Sequence, residues 1–104
     1  DTKPIFLYEE DNKVLGYAFC VIINHENDHS LVSYKSLYID DLCVNSSIRG
    51  KGIGKQLYEY VLNFAKSLGC YNVTLNVWAD NDSALKFYEK IGMHIQKIGM
   101  EKIL

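Results

Sequence analysis

The stretch from Val44 to Lys55, Val-Asn-Ser-Ser-Ile-Arg-Gly-Lys-Gly-Ile-Gly-Lys, constrains this chain most. An apolar-rich run, Tyr38 to Val44, leads into it, and a helical pattern leaves from it at Ile53. Between strand and helix stand Arg49, Gly50, Lys51, Gly52 and Gly54. Glycines so placed leave no Cβ between the backbone and a ligand. The N–H groups that open the following helix form its positive end, a ready anion site. Arg49 and Lys51 add charge, and an arginine can make a forked contact with phosphate oxygens. Main-chain N–H groups from Arg49 to Lys55, with Ile53 and Lys55 among them, therefore suit a pyrophosphate. The plain alternative is a glycine-rich turn carrying a solvated basic patch.

Two familiar phosphate loops do not fit. A Walker loop needs Gly-x-x-x-x-Gly-Lys-Ser/Thr, but Gln56 follows Gly54-Lys55 and Arg49 stands where the first glycine belongs. The dinucleotide fingerprint Gly-x-Gly-x-x-Gly reads as Gly50-x-Gly52, with Lys55 in place of the third glycine.

Arg49-x-x-Gly52-x-Gly54 instead resembles the acetyl-CoA-binding motif of the GNAT superfamily of N-acetyltransferases. Downstream, Asn81-Asp-Ser-Ala84-Leu-Lys-Phe87-Tyr88-Glu-Lys-Ile-Gly92-Met93 is similar to that superfamily's Asn-x-x-Ala-x-x-Phe-Tyr-x-x-x-Gly-Phe, with Met93 for the common Phe. The resemblance runs from about Val14 to Leu104, and the order of its two motifs makes it more specific than either alone.

Around this centre the residues suggest a mixed α/β domain. Pro4 to Glu9 and Val14 to Asn24 read as an antiparallel hairpin across a Glu10-Asp11-Asn12-Lys13 turn. Alternation in the central strand, about Ser36 to Val44, puts Tyr38, Asp40, Leu42 and Val44 on one face, with Ile39, Asp41 and Cys43 on the other. Ile53, Leu57, Val61, Phe64 and Leu68 recur at helical spacing, so a helix is expected from Gly54 to Leu68, stopped by Gly69. Asn72 to Trp78 is a short β-rich run that completes a right-handed βαβ unit. Ligands bind such sheets at the carboxyl ends of the strands, where the glycine loop begins. Asn81, Asp82 or Ser83 caps a second helix, and His94 to Leu104 reads as a closing strand. The fold expected is one GNAT-like α/β (α+β) domain over residues 1–104, a mixed sheet with hairpin, βαβ unit, second helix and closing strand.

Composition narrows the function classes. With 48% hydrophobic residues and a single proline in 104 residues, the chain suits a globular domain. A formal charge of −2 gives no general case for nucleic acid or an anionic membrane. Polyanion binding through Arg49, Lys51 and Lys55 is the weak third class. No apolar run approaches the length of a spanning helix, and no basic-then-apolar signal opens the chain. Cys20, Cys43 and Cys70 are odd in number and unclustered, as for reduced core thiols of a cytoplasmic protein. His25, Glu26, Asp28 and His29 read as a solvated turn, so no metal is expected.

Amide formation from a thioester needs a deprotonated amine, a polarised carbonyl, a protonated thiolate and both reactants in register. The resemblance implies a residue for each. Backbone groups of Leu42, Cys43 and Val44 would hold the pantetheine arm, and one N–H there would polarise the thioester carbonyl. Asn81 matches a pantetheine contact, and Tyr88 the acid that protonates the departing sulfur. Tyr88 is also, on its helical face, an ordinary amphipathic core residue; Phe87 and Trp78 read as packing. Tyr38 to Val44 further resembles the strand of polyamine N-acetyltransferases, in which Glu-Asp precedes the apolar pair. Asp40 would there act as base through water, and Asp41 would help bind a cationic acceptor. The acceptor implied is a small-molecule or peptide amine, and the cosubstrate is acetyl-CoA.

Family domains usually begin with a strand and two helices before such a hairpin, whereas this chain starts almost at the hairpin. Either the chain is a fragment, or a partner chain supplies the cover, or the protein binds CoA without turnover; the last is the competing function, a non-catalytic acyl-CoA-binding or interaction module of the same fold. A sheet face left bare would be apolar and prone to association, including as a homo-oligomer.

Overall fold

The computed structural model describes residues 2–26, 33–45 and 52–104. Strands β1 (Ile5–Glu10), β2 (Lys13–His25) and β3 (Tyr34–Val44) come first, then helix α1 (Ile53–Ser67), strand β4 (Asn72–Thr74) and helix α2 (Asp82–Lys90). One sheet holds the strands in chain order. β1 and β2 pair antiparallel, as do β2 and β3, and β3 pairs β4 parallel across α1. The hairpin and the βαβ unit expected from the sequence are both present.

At the hairpin, Glu10 pairs with Lys13, and Asp11 and Asn12 take φ of 52° and 63°. Two left-handed residues match the right-handed twist of the flanking strands, and Asp and Asn tolerate that region better than most residues. α1 covers one sheet face. Ala18, Cys20, Leu37 and Ile39 from the sheet are buried with Leu57, Tyr58, Val61 and Ala65 of α1. Fully enclosing a side chain such as Leu37 or Val61 contributes about 1.5–3 kcal/mol. The helix runs one residue earlier than expected, and Cys70 N–H donates to Ala65 O as the chain turns back at Gly69. The other sheet face, with Ile5, Leu7, Phe19 and Ile23, is exposed among the described residues.

Four expectations are corrected. Phe19 pairs with Asp41 but Cys20 pairs with Ile39, so Asp40 is an extra residue on β3. Such a bulge resets the alternation. Ile39 and Leu42 consequently share the face toward α1, opposite Cys20 and Ala18, while Asp41 and Cys43 share the far face with Phe19 and Tyr17. Second, β4 pairs only through Thr74, opposite Tyr38, and residues 75–78 leave the sheet. Pairing stops two residues short of the bulge, where β3 bends away. Third, no strand forms over His94 to Leu104; Ile98, Met100 and Ile103 are exposed. Alternation makes a strand only beside a partner, and β4 offers a ladder of three residues. Fourth, Cys20 is buried and burial pushes its thiol up to about 11, but Cys43 is exposed and so is no core thiol.

No described helix is long and apolar enough to cross a membrane.

Candidate active site

The departure of residues 75–78 from β3 opens a cleft of about 210 Å³. Asp40, Asp41 and Leu42 line it from β3, Trp78 from the departing segment, and Asn81 and Tyr88 from α2. Five residues named from sequence motifs therefore meet in one place: Asp40, Asp41, Leu42, Asn81 and Tyr88. At the base of the split, Asn76 Nδ2 donates to the Tyr38 hydroxyl at 3.2 Å.

β2 takes one hydrogen-bonding edge of β3 along its whole length, but β4 takes the other only from Ser36 to Tyr38. Past Tyr38, among the described residues, the edge through Leu42, Cys43 and Val44 has no strand beside it. An extended chain with amide groups can lie there as an added strand.

α1 begins beside the end of this edge. Gly52 precedes the helix with φ 73°, a conformation that costs an L side chain about 1–2 kcal/mol. The first intrahelical bond is Gln56 N–H to Gly52 O. The N–H groups of Ile53, Gly54 and Lys55 thus lie in the unbonded first turn. That turn has no acidic residue, and Lys55 is exposed. A Cβ on Gly54 would lie 3.5 Å from the Phe87 ring and 3.6 Å from Val44, so α1, β3 and α2 converge there. Arg49, Gly50 and Lys51 lie outside the described residues.

Tyr88 is half-buried, 5.1 Å centroid to centroid from Phe87 and 6.3 Å from Tyr58. Burial, then the charge of Asp41, then Tyr58, push its phenol above the ordinary value. It is therefore protonated throughout the neutral range. Asn81 is the cap of α2: its Oδ1 accepts from Ala84 N–H and from the Ser83 hydroxyl, each at 3.2 Å. The cap occupies its oxygen, which leaves the amide N–H groups as its donors. Asp40 and Asp41 are both exposed, but among the described residues only Asp41 has a side-chain partner, the Tyr17 hydroxyl at 3.1 Å.

Sequence reasoning missed Tyr17 altogether and took Trp78 for packing. Trp78 is 83% exposed and lines the cleft. Its place at the end of the βαβ unit, where ligands bind such sheets, was the available signal. For Tyr17 no local pattern gave a signal: the register of β2 on β3 sets it opposite Cys43 and diagonal to Asp41.

A larger cavity, about 280 Å³, lies at the start of β3 between His25, Tyr34 and Gly69. There His25 stacks on Tyr34 at 4.3 Å and shares a hydrogen bond with Ser36, which donates to Asn72. His25 is thus part of a hydrogen-bonded stack; Asp28 and His29 lie outside the described residues. This end is where the parallel strands begin, and none of the motif residues lines it.

Among curated proteins, the chain is 41% identical over 68 residues to the glucosamine 6-phosphate N-acetyltransferase of Arabidopsis thaliana, covering 65% of this chain and 44% of that protein. It is 36% identical over 83 residues to the probable N-acetyltransferase san of Drosophila melanogaster, covering 79% and 42%. The chain thus spans less than half the length of either. A mutant of the Bacillus halodurans protein BH1408 superposes with a TM-score of 0.93 at 28% identity, over 100% of this chain and 67% of that one. The aminoglycoside N-acetyltransferase AAC(6')-Iy, solved in complex with CoA, shares the fold with a TM-score of 0.80 at 21% identity, over 100% and 78%. Residues 1–93, from the hairpin to the end of the second motif, match the acetyltransferase (GNAT) family, and it is to this family that the chain belongs.

Proposed function

We propose that the chain carries the acetyl-CoA site and the catalytic cleft of an N-acetyltransferase that acts on a primary amine. The observation that carries this reading is the meeting of Asp40, Asp41, Leu42, Asn81 and Tyr88 in one cleft, next to an open strand edge and an acid-free helix start. Acetyl-CoA fits these features: it supplies an acetyl thioester, a chain of amides and a pyrophosphate. The edge through Leu42, Cys43 and Val44 takes the amides, with the Asn81 N–H groups donating beside it. The first turn of α1, from Gly52 to Lys55, takes the pyrophosphate, and Arg49, Gly50 and Lys51 extend that contact.

The transfer is a direct attack in a ternary complex. A carboxylate of the β3 pair accepts the ammonium proton through water, and the neutral amine forms the new C–N bond. The C–S bond breaks as the Tyr88 hydroxyl protonates the sulfur, the surplus proton on the new amide nitrogen passes to solvent, and Tyr88 is reprotonated from solvent. A phenol held above its ordinary value suits an acid that must be charged with its proton before each turnover.

Tyr88→Phe tests the assignment, by calorimetric titration with acetyl-CoA and by thiol release with glucosamine 6-phosphate, a polyamine and a peptide amine. Turnover should fall about a hundredfold or more, with affinity for acetyl-CoA nearly unchanged. Saturable binding by the original chain without thiol release from any acceptor would sink the transferase reading and leave a binding module.

A further inference from the structure

We propose that Tyr17 is a positioning residue that fixes Asp41, and that Asp41 rather than Asp40 takes the proton of the acceptor amine. The inference rests on the acetyl-transfer reading and assigns the residue that orients its base.

Two adjacent carboxylates line the cleft, and the bulge separates their circumstances. Asp40 is the extra residue, without a cross-strand partner, and its side chain makes no hydrogen bond or ion pair among the described residues. Asp41 stays in register opposite Phe19. Its Oδ2 accepts from the Tyr17 hydroxyl at 3.1 Å, which leaves Oδ1 for an amine or a bridging water. A free carboxylate on an exposed strand samples several rotamers, whereas one held by a charge-assisted hydrogen bond does not.

Tyr17 is itself well fixed. Its backbone pairs with Leu7 on one side and Cys43 on the other, and its ring lies 4.7 Å from that of Phe19 at 32°. Among the described residues, Tyr17 donates to Asp41, Cys43 lies two residues on along the same face of β3, and Tyr88 of α2 lines the same cleft. The hydrogen bond to Asp41, then one to Cys43, push the Tyr17 phenol up to about 12. Tyr17 therefore remains a donor across the whole range in which amines are acylated. Asp41 and Tyr88 line the same cleft, and the charge of Asp41 is among the causes that raise the Tyr88 phenol. A proton taken from the ammonium by Asp41 passes to solvent, and the sulfur receives its own from Tyr88.

The test is a double-mutant cycle on kcat and KM, with thiol release from acetyl-CoA and the fastest of the three acceptors named above. Tyr17→Phe keeps the ring and its stacking and removes only the hydroxyl. It should lower kcat about tenfold, with KM for acetyl-CoA and melting temperature little changed. Asp41→Asn should lower kcat about a hundredfold, and adding Tyr17→Phe to it should do nothing more. In an Asp40→Asn background the Tyr17→Phe effect should persist in full. A structural role for Tyr17 would instead give the same loss in all three backgrounds, and that overturns the inference. So does a Tyr17→Phe chain with unaltered kcat. A parent chain that releases no thiol at all overturns the acetyl-transfer reading, and this inference with it.

Discussion

At the scale of single residues, Asn81 caps α2 and is proposed to contact acetyl-CoA, two duties that substitution can separate. Its Oδ1 caps α2, accepting from Ala84 N–H and the Ser83 hydroxyl, and the residue lines the cleft. Loss of such a cap costs about 0.5–2 kcal/mol. Asn81→Ala should therefore lower stability by about 1 kcal/mol and weaken acetyl-CoA binding. Asn81→Asp keeps a capping oxygen at the positive end of the helix but has no N–H to donate. It should melt like the parent and still bind acetyl-CoA more weakly, as thermal unfolding and calorimetry on the same preparations would show. A parent-like affinity in Asn81→Asp would reduce Asn81 to a cap. The helix start was readable in the sequence, with Asn81, Asp82 or Ser83 as candidates for its cap. The Tyr17–Asp41 hydrogen bond was not. It joins residues 24 apart through a register that no local pattern encodes.

At the scale of elements, the glycines around the start of α1 differ in what they require. Gly52 has φ 73° and open space where a Cβ would go, so its demand is conformational. Gly54 is helical, and a Cβ there would make ordinary contact with Phe87 and Val44. Gly52→Ala should cost about 1–2 kcal/mol and disturb the N–H groups proposed to hold the pyrophosphate. Gly54→Ala should gain up to about 1 kcal/mol of helix propensity and leave binding intact. Denaturant unfolding beside acetyl-CoA titration decides it; a Gly54→Ala chain that loses affinity would mean that this backbone must approach the ligand bare. The hairpin and both helices were legible because turn chemistry and the 3.6-residue period are local. The bulge was missed: regular alternation sets Asp41 on the face of Ile39 and Asp40 on that of Leu42, and the adjacent acid pair between two apolar residues was the available sign of an extra residue. The split between β3 and the segment after Thr74 follows from that bulge, and so the exposure of Trp78 was hidden with it.

At the scale of the whole molecule, the folded state holds several groups in their neutral forms, and this sets its alkaline limit. Burial pushes the Cys20 thiol from an ordinary 9.0 up to about 11, and burial raises Tyr58 and, together with the Asp41 charge, Tyr88. Where the folded pKa exceeds the unfolded one, the unfolded chain sheds its proton first as pH rises. The stabilisation is whole below pH 9 and is lost progressively through pH 11, with the tyrosines extending the loss above pH 10. Melting temperature should thus be flat from pH 7 to 9 and fall beyond it. Cys20→Ala removes the earliest of these groups, at the expense of a small cavity under α1. It should melt lower than the parent at pH 7, yet its decline between pH 9 and 10.5 should be shallower. Equal slopes in the two chains would mean that Cys20 ionises alike in folded and unfolded states. The thiol between the sheet and α1 would then reach water more easily than its burial indicates, and opening of that layer would be the motion to look for next.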